Sequence, residues 1–313
     1  MRENKLPWML RNSDFYQSGW HVRPTIGYEL MFEFLRLSPS YELARKANTK
    51  GLTKEEEALL PKDFDRVLET YALLGDVQKI LFRQWWIQRG LKVFGSPYSS
   101  LKVHKVAELE FGQALEATDL REDVDIYLNG VRQEEGLKAT VLVAIPVGLR
   151  KAEYRKQLDK IMSELSISDD DSMNKSKIKL QGQRLRAKVL FNGIKLLWFR
   201  AAKPKWQEWR LGAKSGISET YSKVLDVDNP RKVYGTLESY DREMMTKITH
   251  RALKKFEAIA ENAARGKFPS QDLVDKVAFD YTSLAKRIKE KNAWEKAEKA
   301  RLLARYKIKK KIS

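Results

Sequence analysis

Cysteine is absent from the 313 residues, which excludes disulfides and thiolate metal ligands. Histidine is nearly absent. His21, His104 and His250 stand far apart, none in a His-x-x-x-His or His-Glu-x-x-His setting, so nothing suggests a structural zinc site. Long apolar runs are also missing. The longest, such as Ala139–Val147, fall well short of the ~18 residues that a membrane span needs. The opening Met1–Trp8 lacks the apolar core of a signal peptide. These absences predict a cytoplasmic protein with no membrane partner, no cofactor and no evident small-molecule substrate.

Positive charge is present in excess. Sixty Lys and Arg face 42 Asp and Glu, giving a formal net charge of +18 and a pI near 9.7. Such a chain attracts polyanions and gains affinity by releasing their counterions, so nucleic acid, DNA or RNA, is the expected partner. With 42% hydrophobic residues there is material for a sizeable core, and the length suits about two domains of roughly 150 residues.

Hydrophobic periodicity predicts a mainly α protein with a helical N-terminal domain, a small α/β module and a basic helical C-terminal domain. Residues 1–100 read as a helical interaction domain open to protein partners. Tyr28–Leu37 is an apolar-rich helix stopped by Ser38-Pro39-Ser40, and Thr53 with Glu56 forms a capping box. Further helices follow Pro61 and Asp76, the latter ending at Gly90. Residues 101–165 read as the α/β module. Val124–Leu128 is strand-like before an Asn129-Gly130 turn, Lys138–Pro146 is a β-branched strand, and Arg150–Leu165 is an amphipathic helix. Residues 166–176 are polar and turn-forming, as a linker should be. Residues 177–270 form the basic domain, including a long helix over Asp241–Ala264 ended by Gly266 and Pro269. Residues 271–313 form a C-terminal helix and basic tail, with Leu273, Val277, Tyr281, Leu284 and Ile288 at helical spacing.

Several signals bear on function. Trp206–Asp226 reads as helix, Gly-centred turn, helix. Gly212 and Ala213 are the close-packed positions, Gly216 the turn, Ile217 a core anchor and Ser218 a cap, while Glu219, Thr220, Ser222 and Lys223 are free to face a groove. This stretch resembles helix-turn-helix DNA-binding motifs, with Ser215 and Ser222 where that motif takes apolar residues. The Lys214-Ser215 pair is not a phosphate loop, because Ala213 and Glu208 occupy the positions where that loop requires glycine. Residues 177–214 carry a basic face, notably Arg184, Arg186, Lys188, Lys195, Lys203, Lys205, Arg210 and Lys214. Trp198, Trp206 and Trp209 interleave with it; Trp198 is read as core and Trp206 as the candidate for stacking on a base. The tail ends in Lys309-Lys310-Lys311, free to rest on phosphates, while Glu290, Glu295 and Glu298 suggest a solvated helix before it.

Two other function classes fit parts of the sequence. A metal-dependent nuclease would draw on Asp123, Asp125, Glu134, Glu135 and Lys138, but the Glu-x-Lys spacing is missing. A protein–protein adaptor within a nucleoprotein complex (defence, transposition or guide-RNA machinery) would meet nucleic acid only inside the assembly. Finally, Trp20-x-x-Arg23, Tyr28 and Phe32–Tyr41 resemble the N-terminal segment of small regulator-like proteins from proteobacterial mobile elements. That resemblance implies a DNA-binding accessory or regulatory role. The expectation is a non-enzymatic nucleic-acid-binding protein.

Overall fold

The computed structural model describes residues 15, 18–95, 103–109, 112, 117–132, 140–164, 177–181, 185–228 and 237–312, with the backbone alone described at 117–119 and 305–312. In chain order the helices are α1 (Ile26–Leu37), α2 (Pro39–Thr49), α3 (Lys54–Glu57), α4 (Phe64–Leu74), α5 (Phe82–Trp85), α6 (Leu91–Phe94), α7 (Ala117–Ile126), α8 (Lys151–Glu164), α9 (Ala187–Ala202), α10 (Glu208–Ser215), α11 (Glu219–Val224), α12 (Leu237–Ala263) and α13 (Tyr281–Ile312). The protein is mainly helical, and no helix among the described residues is long and apolar enough to cross a membrane.

Two compact units emerge, residues 1–90 with 178–313, and residues 91–177. The helical halves that the sequence separates at 166–176 therefore share one core, and the linker itself lies outside the described residues. In the larger unit α12 packs on α1, α2, α9, α10 and α11, and α9 also meets α1 and α13. Helix α1 is buried on nearly every side, as a helix apolar around most of its circumference must be. Its end follows local rules. Ser38 adopts extended backbone, its Oγ accepts from the Tyr41 amide at 3.1 Å, and Pro39 opens α2. The Thr53–Glu56 capping box is present at α3. The pattern Trp20, Arg23, Tyr28, Phe32, Arg36 supplies packing: Trp20 and Phe15 lie against Phe191, Tyr28 against Trp86, and Phe32 against Trp85.

Charged side chains join the helices from inside. Arg36 donates to Val77 O (2.6 Å), Ile80 O (2.7 Å), Glu33 (2.7 Å) and Glu295 (2.8 Å). Glu295 thus belongs to the interior, correcting its expected place on a solvated helix. Burial works to raise its pKa, yet Lys291 and Arg36 hold it below the ordinary carboxylate value. Buried Glu261 accepts from Ser38 Oγ (2.6 Å), the Ser40 amide (3.2 Å), Ser40 Oγ and Arg265 (3.1 Å), and Arg265 continues to Asp63 at 2.8 Å. α12 ends at Ala263, with Gly266 at φ +73°. The last helix starts later than the apolar spacing suggests. Residues 271–280 are not helical, Leu273 is exposed, and Asp280 caps α13 by accepting from the Thr282 and Ser283 amides.

The smaller unit is entered and left at one place, where the Lys177 amide donates to Val93 O at 2.7 Å. The small α/β module expected over 101–165 is not what its described residues form. Val124–Leu128 is helical, in α7 and the π turn Tyr127–Val131 that continues it. Leu120, Val124, Tyr127, Leu128 and Val131 recur at spacings of three and four, so helical and alternating patterns coincide there, and burial of Tyr127 accompanies the helix. Asn129-Gly130 accordingly sits in the π turn rather than in a hairpin. Residues 140–146 carry no regular secondary structure and pair with no strand among the described residues, and Val141, Leu142, Val143 and Ile145 are exposed. Helix α8 forms where expected.

Candidate nucleic-acid interface

The basic segment is built on α9, whose buried face carries Leu190, Phe191, Ile194, Leu197 and Trp198. α9 crosses α12 closely, for a Cβ on Gly193 would come within 2.2 Å of the Phe256 ring. Arg186 and Lys188 are exposed at the start of α9, and Lys203 and Lys205 are exposed in the turn after it. Arg184 lies outside the described residues, as do the side chains of Lys309, Lys310 and Lys311, whose backbone continues α13. Lys195 departs from the expected polar face. It is half-buried with its Nζ 5.4 Å from the Phe191 ring centre, and burial lowers its pKa to about 8.

The helix–turn–helix segment has the expected order: α10, Gly216 in the left-handed region (φ +72°), then α11. Ile217 and Gly216 amides close the end of α10 on Gly212 O and Ala213 O, and Asn192 Nδ2 pins the turn by donating to Gly216 O at 2.7 Å. Trp209, Ala213, Leu225 and Met245 form a small core with Tyr221 and Val227 against it. Details differ from the sequence reading. Gly212 packs against α12 rather than α11, since a Cβ there would fall 1.9 Å from Thr249 Oγ1. Ser218 makes no side-chain cap. Ser215 is fully buried, and its hydroxyl donates to Leu211 O at 2.6 Å. Ser222 does not face a groove, because its Oγ is buried without a hydrogen-bond partner among the described residues. What α11 exposes is Glu219, Thr220, Lys223 and Val224, over only six residues, and Lys223 is paired with Glu219 at 2.7 Å. The face that would enter a groove is therefore close to neutral.

A further cationic surface lies on α12. Met245, Thr249, Phe256, Ile259, Ala260 and Ala263 are buried, while Lys247, His250, Arg251, Lys254 and Lys255 are exposed. At 100° per residue, Lys247, Arg251, Lys254 and Lys255 fall within an arc of about 100° and along about 12 Å of axis. Lys247 pairs with Glu243 at 2.6 Å, whereas Arg251, Lys254 and Lys255 meet no carboxylate among the described residues. A signal was available in the sequence: no acidic residue occurs between Glu243 and Glu257.

Neighbouring elements converge on this stretch. Glu208 Oε2 at the start of α10, shortly after the Lys203–Lys205 turn in the chain, lies 3.5 Å from His250 Nδ1 in the middle of α12. Tyr281 at the start of α13 donates to Glu257 at 2.6 Å, and Arg200 near the end of α9 lies 5.8 Å from the Tyr281 ring centre. Burial, reinforced by Glu257, pushes the Tyr281 phenol above its usual range. Lys214 is exposed on α10. Arg210 is half-buried and donates to Val227 O at 3.0 Å while covering the Trp206 ring at 4.2 Å, which ties α10 to the chain after α11.

Asp123 and Asp125 are exposed on α7, and Glu134, Glu135 and Lys138 lie outside the described residues. Among the described residues no group of His, Asp and Glu could hold a metal ion. No protein-family model matches the chain, and no curated protein or solved structure matches it either. What the surface can do is decided by its own charge and geometry.

Proposed function

We propose that the protein binds nucleic acid through the cationic face of α12 and the adjoining Lys203–Lys205 turn, without catalysing a reaction on it. The observation that supports this is the stripe Lys247, Arg251, Lys254 and Lys255, held on a helix whose opposite face is locked into the core. Cations fixed on a rigid rod lose little freedom on meeting a phosphate backbone, and each contact releases counterions. Arg186, Lys188 and Lys214 add to the field that draws the polymer in. A role as an accessory or regulatory DNA-binding factor, with the α10–α11 pair adding selectivity, belongs to the same proposal.

The test is a fluorescence-anisotropy titration of nuclease-treated protein with labelled nucleic acids from low to physiological salt. Affinity falling steeply with salt is expected. Absence of binding at low salt would overturn the proposal. A second reading, an adaptor subunit of a nucleoprotein complex, is favoured by the exposed apolar segment Val141–Val147, since monomeric proteins rarely leave contiguous apolar surface uncovered. Stable co-purification of a protein partner, lost when Leu142 and Ile145 become Ser, would support it.

A further inference from the structure

Resting on the reading that α12 binds nucleic acid, we infer that the ligand is a duplex held by its phosphates, not a single strand held by stacked bases. Proteins that grip single strands offer aromatic faces on which bases stack. Every tryptophan interleaved with the basic segment already has a cation of this chain on its ring. Lys291 Nζ lies 5.5 Å from the centre of Trp198, the Arg242 guanidinium 4.3 Å from Trp209, and the Arg210 guanidinium 4.2 Å from Trp206.

Trp206 is the least buried of these and the most fully engaged. It lies parallel to Phe199 at 6.4 Å and 10°, with Lys203 5.7 Å from its centre. Arg210, which covers it, is anchored by its bond to Val227 O. A base could reach that ring only by displacing a cation already in place. Tyr240 does expose its ring on the solvent face of α12, but Glu243 stands between it and Lys247 and would repel the phosphate of a base stacked there.

The cations suit the denser polymer. A duplex carries one phosphate charge per about 1.7 Å of axis, against about 3.4 Å along one strand. Arg251, Lys254 and Lys255, which meet no carboxylate among the described residues, lie within about 6 Å of helix axis, a length in which one strand offers about two phosphates and a duplex about four. DNA and RNA duplexes share this chemistry.

The test uses the full chain with a DNA duplex, the RNA duplex of the same sequence, and the corresponding single strands, titrated across salt. The variants are the quadruple Lys247→Gln, Arg251→Gln, Lys254→Gln, Lys255→Gln and the singles Trp206→Ala and Tyr240→Ala, with circular dichroism as the folding control. One or both duplexes should bind about ten-fold or more tighter than either strand, and the quadruple variant should flatten the duplex log–log salt slope by about 2.7, from the three cations not already paired with an acid. Neither ring substitution should change affinity for a single strand. If Trp206→Ala loosens the fold, Trp206→Phe, which keeps a ring under Arg210, and Tyr240→Ala still decide the point. Single strands binding as tightly as duplexes, ring-dependent single-strand binding, or an unchanged duplex slope in the quadruple variant would overturn the inference while leaving nucleic-acid binding intact. No binding to any of the four polymers at low salt would overturn the reading beneath it.

Discussion

Replacing Lys195 by Met should stabilise the protein, by an amount that shrinks as pH rises. Lys195 projects from α9 over the Phe191 ring, and burial lowers its pKa from 10.5 to about 8. The unfolded chain therefore binds more protons than the folded one between pH 8 and 10.5, and stability rises with pH across that window. Below pH 8 the whole cost of the buried ammonium is present, on the order of 3 kcal/mol. Met fills a similar volume without the charge. Urea unfolding should show Lys195→Met more stable by up to about 3 kcal/mol at pH 7, and by only about 1 kcal/mol at pH 9.5. Burial also raises the phenols of Tyr28, Tyr41, Tyr71 and Tyr281, which lowers stability above pH 10, so the difference between the two proteins is the quantity to follow. Half-buried over Phe191, Lys195 stands apart from the exposed cations, so nucleic-acid affinity should be unchanged in the variant. A stability gap that is the same at both pH values, or a variant less stable at pH 7, would refute the reasoning.

Arg36→Met should destabilise by about 3–5 kcal/mol in chemical denaturation, because Glu33 and Glu295 lose their shared guanidinium inside the core. Gly193→Ala should cost about 1–3 kcal/mol by forcing α9 away from Phe256, and Phe256→Leu should return part of that loss in the double variant. Gly216→Ala should lower stability by about 1–2 kcal/mol, since φ is +72° there; Gly216→Asn should cost less, and thermal melts of the pair would show the order. Neutralising Lys223 should leave the salt dependence of nucleic-acid binding almost unchanged, because its charge is already paired with Glu219; a slope lower by about one unit would make α11 a phosphate-contacting helix.

Features set by near neighbours were legible in the sequence. The break at Ser38-Pro39, the Thr53–Glu56 box, the glycine turn at Gly216 and the end of α12 before Gly266 all depend on residues within a few positions of one another. Where two periods coincide, local pattern does not choose: Val124, Ile126 and Leu128 alternate, but Leu120, Val124, Tyr127 and Val131 also line a helix, and the helix forms. Burial of charge was invisible because its partners are remote. Glu261 lies in Glu-Asn-Ala-Ala-Arg, which reads as a solvated turn of helix, and only the arrival of Ser38 and Ser40 from more than two hundred residues away makes it interior. The same holds for the interface. Trp206 beside Lys203 and Lys205 looks open for stacking until Arg210 and Phe199 are seen against it, while the stripe on α12 could have been noticed from its lack of acid between 243 and 257.

The buried ion pairs bear on the surface as well as on the core. A net charge of +18 attracts a polyanion only if it remains outside after folding. The interior takes in Glu29, Glu33, Glu42, Glu261 and Glu295, and against them Arg36, Arg242, Arg265 and Lys291. More negative than positive charge is thus withdrawn from solvent among the described residues, and the positive excess is left on the outside. Burying those carboxylates also fixes the rod: Glu261 ties α12 to the start of α2, and Glu295 and Lys291 tie α13 to α1. One set of contacts therefore both rigidifies α12 and leaves Arg251, Lys254 and Lys255 on its other face without a paired acid among the described residues. A surface meant for a phosphate backbone needs both conditions, since mobile cations would lose freedom on binding and paired ones would have little charge to offer.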